Sequence, residues 1–466
     1  MTFNRKPILS PSYYIRKEHG GYVLFYANPI ETYSYKLLNT PETVTLGLLD
    51  GDKSVDDIAA MLSKVTHLPL QQSKIKVEQI LNHYSSIVTT HSQTAKRNTV
   101  PLMEFAQSEA ARLLNKKYVQ RFSAPLRLYF SVYPFCNSSC QYCYSSPFTQ
   151  MRSNDGLISL EKIDAIFQEA YELGCMQVAF GGGDPLLHPK ILSIMKLAKE
   201  HGLHFSASTK IRVTHKFCED LASVGLEQIQ VSIDSLNPKI CEDLCGPGSL
   251  SNAMQTINEF LKTRIKIKVN VVLTAKNIDT VEPLVDKMLE LGIDTVSLSS
   301  YTQPATEKIS SLLPTKQQTE QLKKTLSKRY TDWERYVDVQ ADFESETCEK
   351  LAFNPDIPLS KRKCLSGRIP LFLAWQGKCF FCERIAHLPE TEIGDLNQES
   401  LLEVWNGDKL LHFFHPAQSL YTGTPCYSCS RFNECASSGK CYYKSYLKYG
   451  SIYAEDFNCG RERTRA

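Results

Sequence analysis

The sequence predicts an α/β protein in three parts: a partial (β/α)6 TIM-type barrel, an N-terminal winged-helix-like α+β module before it and a C-terminal cysteine-rich domain after it. Three observations carry this. From Pro125 onward, β-branched apolar runs alternate six times with helix-period patterns, the mark of a parallel sheet with helices outside. Upstream, three short aromatic and β-branched runs precede three helical patterns. The cysteines are lopsided: none of the sixteen precedes Cys136, and nine lie between Cys348 and Cys459.

A chain of 466 residues exceeds one hydrophobic core, so about two to four domains are expected. Apolar content of 42% with 22% charged residues suits a globular protein. A net charge of +3 implies no polyanionic partner, so nucleic acid is not expected. The stretch from Met1 to Pro7 lacks the apolar core of a signal peptide, and no apolar run approaches membrane length. The expectation is a cytoplasmic protein with no membrane contact, where so many cysteines argue for metal rather than disulfides.

In chain order, residues 12–17, 22–27 and 32–38 read as a three-stranded meander separated by Gly20-Gly21 and Asn28-Pro29. Asn39-Thr40-Pro41-Glu42 starts a helix, with proline in the first turn where no N–H is needed. Gly51-Asp52 ends it. The segment from Ser54 to Asp57 caps a second helix carrying Ile58, Met61, Leu62 and Val65. A third spans 70–85, with Ile75, Val77, Ile80 and Leu81 as its apolar face. Residues 91–123 are polar, then helical over 102–120, and bridge to the barrel. Barrel strands are expected at 126–132, 177–180, 204–208, 228–233, 266–273 and 295–300, with helices at 160–173, 189–201, 214–224, 251–263 and 281–291. Reactive residues then belong at the carboxyl ends of strands. Residues 306–345 read as a polar helical connector, and the remainder shows few periodic segments, so metals are expected to organise it.

The first barrel strand runs into Phe135-Cys136-Asn137-Ser138-Ser139-Cys140-Gln141-Tyr142-Cys143-Tyr144, a CxxxCxxC triplet with no obvious fourth ligand. A four-iron four-sulfur cluster wants one ligand per iron, so three thiolates leave one iron open. A zinc site lacking a local ligand is the alternative that spacing leaves standing. The triplet, with an aromatic before its last cysteine, resembles the signature of the radical SAM superfamily. That resemblance implies a [4Fe-4S] cluster on Cys136, Cys140 and Cys143 whose open iron chelates S-adenosylmethionine (SAM). An electron from the cluster then cleaves SAM to methionine and a 5′-deoxyadenosyl radical, which abstracts a hydrogen from substrate.

After the second strand, Phe180-Gly181-Gly182-Gly183-Asp184-Pro185 is similar to that family's GGEP-like turn, with Asp for the commoner Glu. Its glycines admit a ligand close to the backbone, and Gly182, Gly183 and Asp184 are expected at the methionine amino group. Ser208-Thr209-Lys210 stands where relatives show Thr-Asn-Gly, and Ser232-Ile233-Asp234 resembles the family's SxD turn. With Tyr142 and Asn270, the residues Ser208, Ser232 and Asp234 complete the expected SAM surface; for Ser208 and Asn270 a structural strand-end role is the alternative. Cys245, in Leu244-Cys245-Gly246-Pro247-Gly248-Ser249, departs from the Arg that peptide-modifying relatives often carry. If that arginine neutralises the SAM carboxylate, another group must do so here.

Downstream the order is Cys364-x12-Gly377-x4-Cys382, then Cys426-x2-Cys429-x5-Cys435-x5-Cys441, then Cys459. This is similar to the SPASM extension, departing in the longer spacing before Cys441. The resemblance implies two auxiliary [4Fe-4S] clusters: an outer one on Cys426, Cys429, Cys435 and Cys459, and an inner one on Cys364, Cys382 and Cys441. The inner fourth site is left to an upstream cysteine, for which Cys348 is the candidate, to substrate or to nothing, and Cys379 is an extra thiol beside the motif. Zinc would suit the Cys-x2-Cys pair equally. Glu383 reads either as a surface carboxylate or as a catalytic group between clusters, accepting a proton when a substrate radical is oxidised. Cys175, Cys218 and Cys241 read as core or surface thiols.

The run from Leu48 to Ile58 resembles the PqqD-like precursor-recognition element, in which a leader peptide adds a strand to a sheet edge and packs on the third helix. A winged helix that only buttresses the enzyme, or binds nucleic acid, is the alternative; near-neutral composition weakens the latter. The expected domains are 8–90, the recognition module; 91–123, the bridge; 124–305, the radical SAM partial barrel; 306–345, the connector; and 346–466, the SPASM domain. Together they resemble maturases that bind the leader of a ribosomal precursor peptide and install a thioether, C–C or C–O crosslink, fed by an external low-potential electron donor. Oxidation of a folded protein or small metabolite is the rival within enzymes. A metal-dependent peptide-binding scaffold is the rival outside them.

Overall fold

In the computed structural model, which describes residues 6–10, 13–18, 21–26, 35–89, 121–145, 156–305, 309–340, 364–457 and 459, the chain divides between Ser123 and Ala124 into two units. In the first, β1 (Ile8–Leu9) pairs with β5 (Val88–Thr89), and β2 (Tyr13–Glu18), β3 (Gly21–Tyr26) and β4 (Tyr35–Leu38) form an antiparallel meander. Helix α1 (Thr40–Gly47) begins in a capping box of Asn39 and Glu42, and α2 (Val55–Thr66) in one of Ser54 and Asp57, so both starts are locally encoded. Helix α3 (Leu70–His83) buries Ser73, Val77, Ile80 and Leu81. Ile75 is 49% exposed, which corrects its expected place on the apolar face. Hydrophobicity suggested it, but at helical spacing position 75 lies opposite 73, 77 and 80. The expected bridging helix at 102–120 lies outside the described residues.

The second unit is built on a ten-stranded sheet. Its centre is the expected parallel run: β6 (Arg127–Tyr133), β7 (Gln177–Gly182), β8 (His204–Thr209), β9 (Gln228–Ser232), β10 (Lys266–Leu273) and β11 (Thr295–Ser300), each beside its successor. Helices α4 (Leu160–Glu172), α5 (Ile191–Glu200), α6 (His215–Ser223), α7 (Pro238–Cys245), α8 (Ser249–Phe260) and α9 (Val281–Glu290) lie between these strands in sequence. The sheet continues at both ends. Strand β12 (Val337–Gln340) runs parallel to β11 inside the expected helical connector, after α10 (Lys316–Lys328) and α11 (Tyr330–Trp333). At the other end β13 (Pro370–Ala374) runs parallel to β6 and leads into the antiparallel β14 (Lys378–Phe380) and β15 (Glu392–Asp395).

Parallel strands covered on both faces read as continuous apolar runs. Here they alternate: Phe205, Ala207, Ile229, Val231, Val269 and Val271 are buried, while Ser206, Ser208, Gln230, Ser232, Lys268 and Asn270 are half-buried. The second set makes a polar inner face, and register places Ser208 beside Gln230 and Ser232 beside Asn270. The C-terminal segment contributes an aromatic cluster. Phe381 stacks on Phe413 with centroids 4.1 Å apart, Tyr442 meets Phe413 edge-on at 5.1 Å, and all three join the barrel core. These contacts join residues too far apart in the chain to show as periodicity. Among the described residues no helix is long and apolar enough to cross a membrane.

Candidate functional site

Beyond Tyr133 at the end of β6, the cysteine loop is pinned from two sides. The N–H of Gly183 donates to the Tyr133 carbonyl at 2.8 Å, and that of Asp184 to the Phe135 carbonyl at 2.9 Å. From the other side, Ser139 N–H donates to the Cys245 carbonyl at 3.3 Å and Gln141 N–H to the Leu244 carbonyl at 2.9 Å. Gly182 sits at φ +115°, and a β-carbon at Gly183 would lie 2.2 Å from the Phe135 oxygen, so this glycine turn is required by backbone contact.

Cys143 lies within electrostatic reach of both Cys136 and Cys140. Burial pushes the Cys136 thiol up and that of Cys143 up to about 11, whereas a hydrogen bond with Cys245 lowers Cys140. Thiols so buried stay protonated at neutral pH unless a metal takes the thiolate. Among the described residues no three His, Cys, Asp or Glu side chains converge on a single-ion position. A cluster instead takes one thiolate per iron corner and accepts wider spacing. The donor set fits an iron–sulfur cluster.

Around the triplet the strand ends supply a buried polar network. The Asp184 carboxylate accepts from the Thr209 hydroxyl at 2.8 Å, from Lys210 N–H at 2.9 Å and from Leu186 N–H at 3.1 Å. It is 2% exposed and its pKa is raised by burial, so it ties the glycine turn to the end of β8. Asp234 is fully buried: Val272 N–H donates to its Oδ1 at 3.0 Å, and Oδ2 accepts from the Tyr142 hydroxyl and from Lys210 Nζ at 3.3 Å. Lys210 also reaches the Tyr142 oxygen at 2.6 Å and the Cys245 sulfur at 3.4 Å. Burial alone would lower the Lys210 pKa, but Asp234, Cys140 and Cys245 raise it well above the ordinary value. Lys210 was not singled out from the sequence. Its signal was a lysine at a strand end, in a chain lacking the arginine expected at position 245. Ser208, Ser232 and Asn270 lie on the polar inner face, where Asn270 Oδ1 accepts from the Ser299 hydroxyl at 2.9 Å.

The C-terminal cysteines separate into two sets. Cys364, Cys382 and Cys441 act on one another electrostatically, while Cys426 lies in the field of Cys429 and Cys459, and Cys435 in that of Cys426 and Cys459. Burial raises Cys382 and Cys426, pushing Cys435 up to about 12 and Cys441 up to about 11, the same metal-ready condition as in the triplet. Lys440, unnoticed in the sequence, lies in the field of both sets. It donates to the Ile452 carbonyl at 2.6 Å, and burial lowers its pKa to about 8. Cys348 lies outside the described residues. Cys379 is fully buried in β14, and the groups acting on it are Asp395, Glu399 and Glu392 rather than cysteines. Cys175, Cys218 and Cys241 are buried. Glu383, half-buried beside Cys382, accepts from the Tyr144 hydroxyl at 3.4 Å, and Tyr144 contacts the Tyr129 hydroxyl at 3.0 Å. Burial raises the Glu383 pKa.

The sequence pattern of the Radical SAM superfamily matches residues 130–288, and that of SPASM, an iron-sulfur cluster-binding domain, matches residues 364–430. The chain is a radical SAM enzyme with a SPASM domain. Among curated relatives, a PqqA peptide cyclase of Ruegeria pomeroyi is 25% identical over 353 residues, covering 72% of this chain and 88% of that protein. A PqqA peptide cyclase of Streptomyces rochei is 23% identical, covering 72% and 90%. Among solved structures, Streptococcus suis SuiB bound to S-adenosylmethionine shares the fold with a TM-score of 0.70 at 18% identity, over 97% of this chain and 100% of that one. SuiB bound to its precursor peptide SuiA gives 0.71 at 17% identity with the same coverage. This radical SAM fold holds the [4Fe-4S] cluster with SAM, and the SPASM domain holds the auxiliary [4Fe-4S] clusters.

Proposed function

We propose that this radical SAM enzyme acts on a ribosomally made precursor peptide, binding its leader on residues 8–90 and crosslinking its core at the barrel mouth. The observation that carries the reading is the near full-length likeness to SuiB in complex with a precursor peptide. Further support comes from the first unit. In the meander order β2-β3-β4, β2 and β4 are the edges, and Leu68, Leu70 and Ile75 are 37%, 57% and 49% exposed at and along α3. Two edge strands and exposed apolar side chains at and along α3 suit a peptide that adds a strand and packs apolar side chains.

Cys136, Cys140 and Cys143 would hold the cluster, which with SAM would supply the radical chemistry for removing a hydrogen atom from the core. The chain's own task is to place the reactants and exclude water. Gly182 and Gly183 open the backbone to SAM, while Tyr142, Ser208, Ser232, Asp234 and Asn270 surround its polar parts. Asp184 holds the turn in shape. Glu383 is placed to take a proton from the substrate, while Cys364, Cys382 and Cys441, and Cys426, Cys429, Cys435 and Cys459, would hold the auxiliary clusters, which would supply an electron acceptor there. The new bond is a thioether, C–C or C–O link, each formed with net loss of two hydrogens.

The test is anaerobic co-expression with each short peptide encoded beside the gene, read by mass spectrometry. A leader-dependent loss of two hydrogens, abolished when residues 8–90 are removed, is the expected result. Equal modification without the module would refute leader docking, and modification of none of the peptides would favour a metabolite or folded-protein substrate.

A further inference from the structure

We propose that Lys440 supplies a counter-charge shared by the two auxiliary clusters, raising the reduction potential of both. This rests on reading Cys364, Cys382 and Cys441, and Cys426, Cys429, Cys435 and Cys459, as the ligands of those clusters. Lys440 stands in the lengthened spacing before Cys441, at the corner between the helix Phe432–Gly439, which carries Cys435, and the helix Tyr442–Tyr449. It is 6% exposed, an unusual place for a lysine.

Neutral groups hold the ammonium. Its Nζ donates to the Ile452 carbonyl at 2.6 Å and to the Tyr421 oxygen at 3.3 Å. It also lies 4.6 Å from the centroid of the Tyr421 ring and 4.8 Å from that of Tyr442. The two rings belong to different cysteine sets. Tyr421 meets Phe432 edge-on at 4.8 Å, and Cys426 and Cys429 pack against the cluster these rings form with Ala436. Gln418, in the same turn as Tyr421, donates to the carbonyls of both cysteines at 2.9 and 3.1 Å. Tyr442 follows Cys441 directly, and its ring meets Phe381, the residue before Cys382, edge-on at 5.5 Å. These contacts set the Lys440 ammonium between the two groups of thiols.

Burying an ammonium is costly unless an anion answers it, and rings and carbonyls answer it only in part. Asp456 acts on Lys440, but one of its oxygens accepts from Cys441 N–H at 3.1 Å. Cys426, Cys435 and Cys441, drawn from both sets, act on it as well. A four-iron cluster carried on thiolates is anionic, and reduction adds one more negative charge. A positive charge so little exposed to water is poorly screened, so it stabilises that added charge at both sites. Clusters held beside it accept an electron more readily, as the oxidation of a substrate radical requires.

The experiment is a potentiometric titration, followed by electron paramagnetic resonance, of the anaerobically reconstituted full chain carrying Cys136→Ala, Cys140→Ala and Cys143→Ala. Only the auxiliary clusters then contribute, and this parent should hold about eight irons. Expected are both midpoints shifted negative in Lys440→Met and Lys440→Gln, and both near the parent's in Lys440→Arg, which keeps the charge. Unchanged midpoints, or a shift of one cluster alone, in a neutral variant with its full iron would overturn the shared counter-charge. Should the neutral variants lose auxiliary iron, Lys440→Arg decides: full loading upholds the inference, and iron lost there too overturns it in favour of packing. A parent that takes up zinc, or no iron, would instead sink the cysteine assignments themselves.

Discussion

A β-carbon at Gly183 would meet the carbonyl carbon and oxygen of Phe135 at 2.4 and 2.2 Å. Backbone cannot swing aside as a long side chain can, so Gly183→Ala is expected to displace the cysteine loop. The protein should fall from about twelve irons per chain to about eight, with the auxiliary clusters kept; undiminished iron would show that the loop yields. His188 gives a prediction of a different kind. Its Nδ1 accepts from Lys190 N–H at 3.0 Å, its ring packs edge-on to Tyr133 at 5.3 Å, and burial, with Lys190 adding, lowers its pKa to about 4. An unfolded histidine titrates near about 6.5, so between these values the unfolded chain binds the extra proton. Stability from this residue is complete above about pH 6.5 and is lost as pH falls toward about 4. Denaturant titrations should show wild type losing about 1–3 kcal/mol more than His188→Gln over that window, and equal losses would count against the assignment. The glycine turn was legible in the sequence because spacing from a strand end is a local signal. The destination of the Asp184 carboxylate was not, because its partners Thr209 and Lys210 come from the next strand.

Helix α3 shows how period and hydrophobicity diverge within one element. Val77, Ile80 and Leu81 close the core of the first unit, while Ile75 and Leu70 stay exposed. Val77→Ala should therefore cost about 2 kcal/mol of stability by denaturant titration. Ile75→Glu should leave the melting temperature unchanged and weaken precursor binding by more than about tenfold in fluorescence anisotropy, since a charge would face the docking peptide's apolar side chains. Unaltered binding would place the leader elsewhere. The capped helices α1 and α2 were predictable from Asn39, Glu42, Ser54 and Asp57 because capping is chemistry between residues three apart. Helix α7 escaped notice: it is eight residues long, and its buried Cys241, Leu244 and Cys245 make too short a stripe to show a period. Strands β12 to β15 escaped for a similar reason, each having three to five residues.

Across the molecule, the three cysteine sets make a quantitative claim. After anaerobic reconstitution the chain should hold about twelve irons and as many sulfides, and Cys382→Ala or Cys435→Ala should each remove about four. Loss of about eight from either single variant would mean that the two C-terminal sets depend on one another; zinc in place of iron would contradict the cluster chemistry. Sequence spacing by itself determined the CxxxCxxC triplet, while the grouping of the later cysteines came from their resemblance to the SPASM pattern. The alternation of strand and helix patterns by itself determined the six central strands. These are local signals, repeated at intervals that a strand or helix must obey. Tertiary structure alone decided that the sheet runs on to ten strands, that Cys379 stands apart from the other thiols and that Glu383 meets Tyr144. It also decided that Lys210, Asp234, Tyr142 and Cys245 come together from two strand ends, a loop and a helix end beside Cys140. Each of these depends on register and packing between segments distant in the chain, and a pattern of apolar and polar residues along one segment does not encode which residue of another segment will face it.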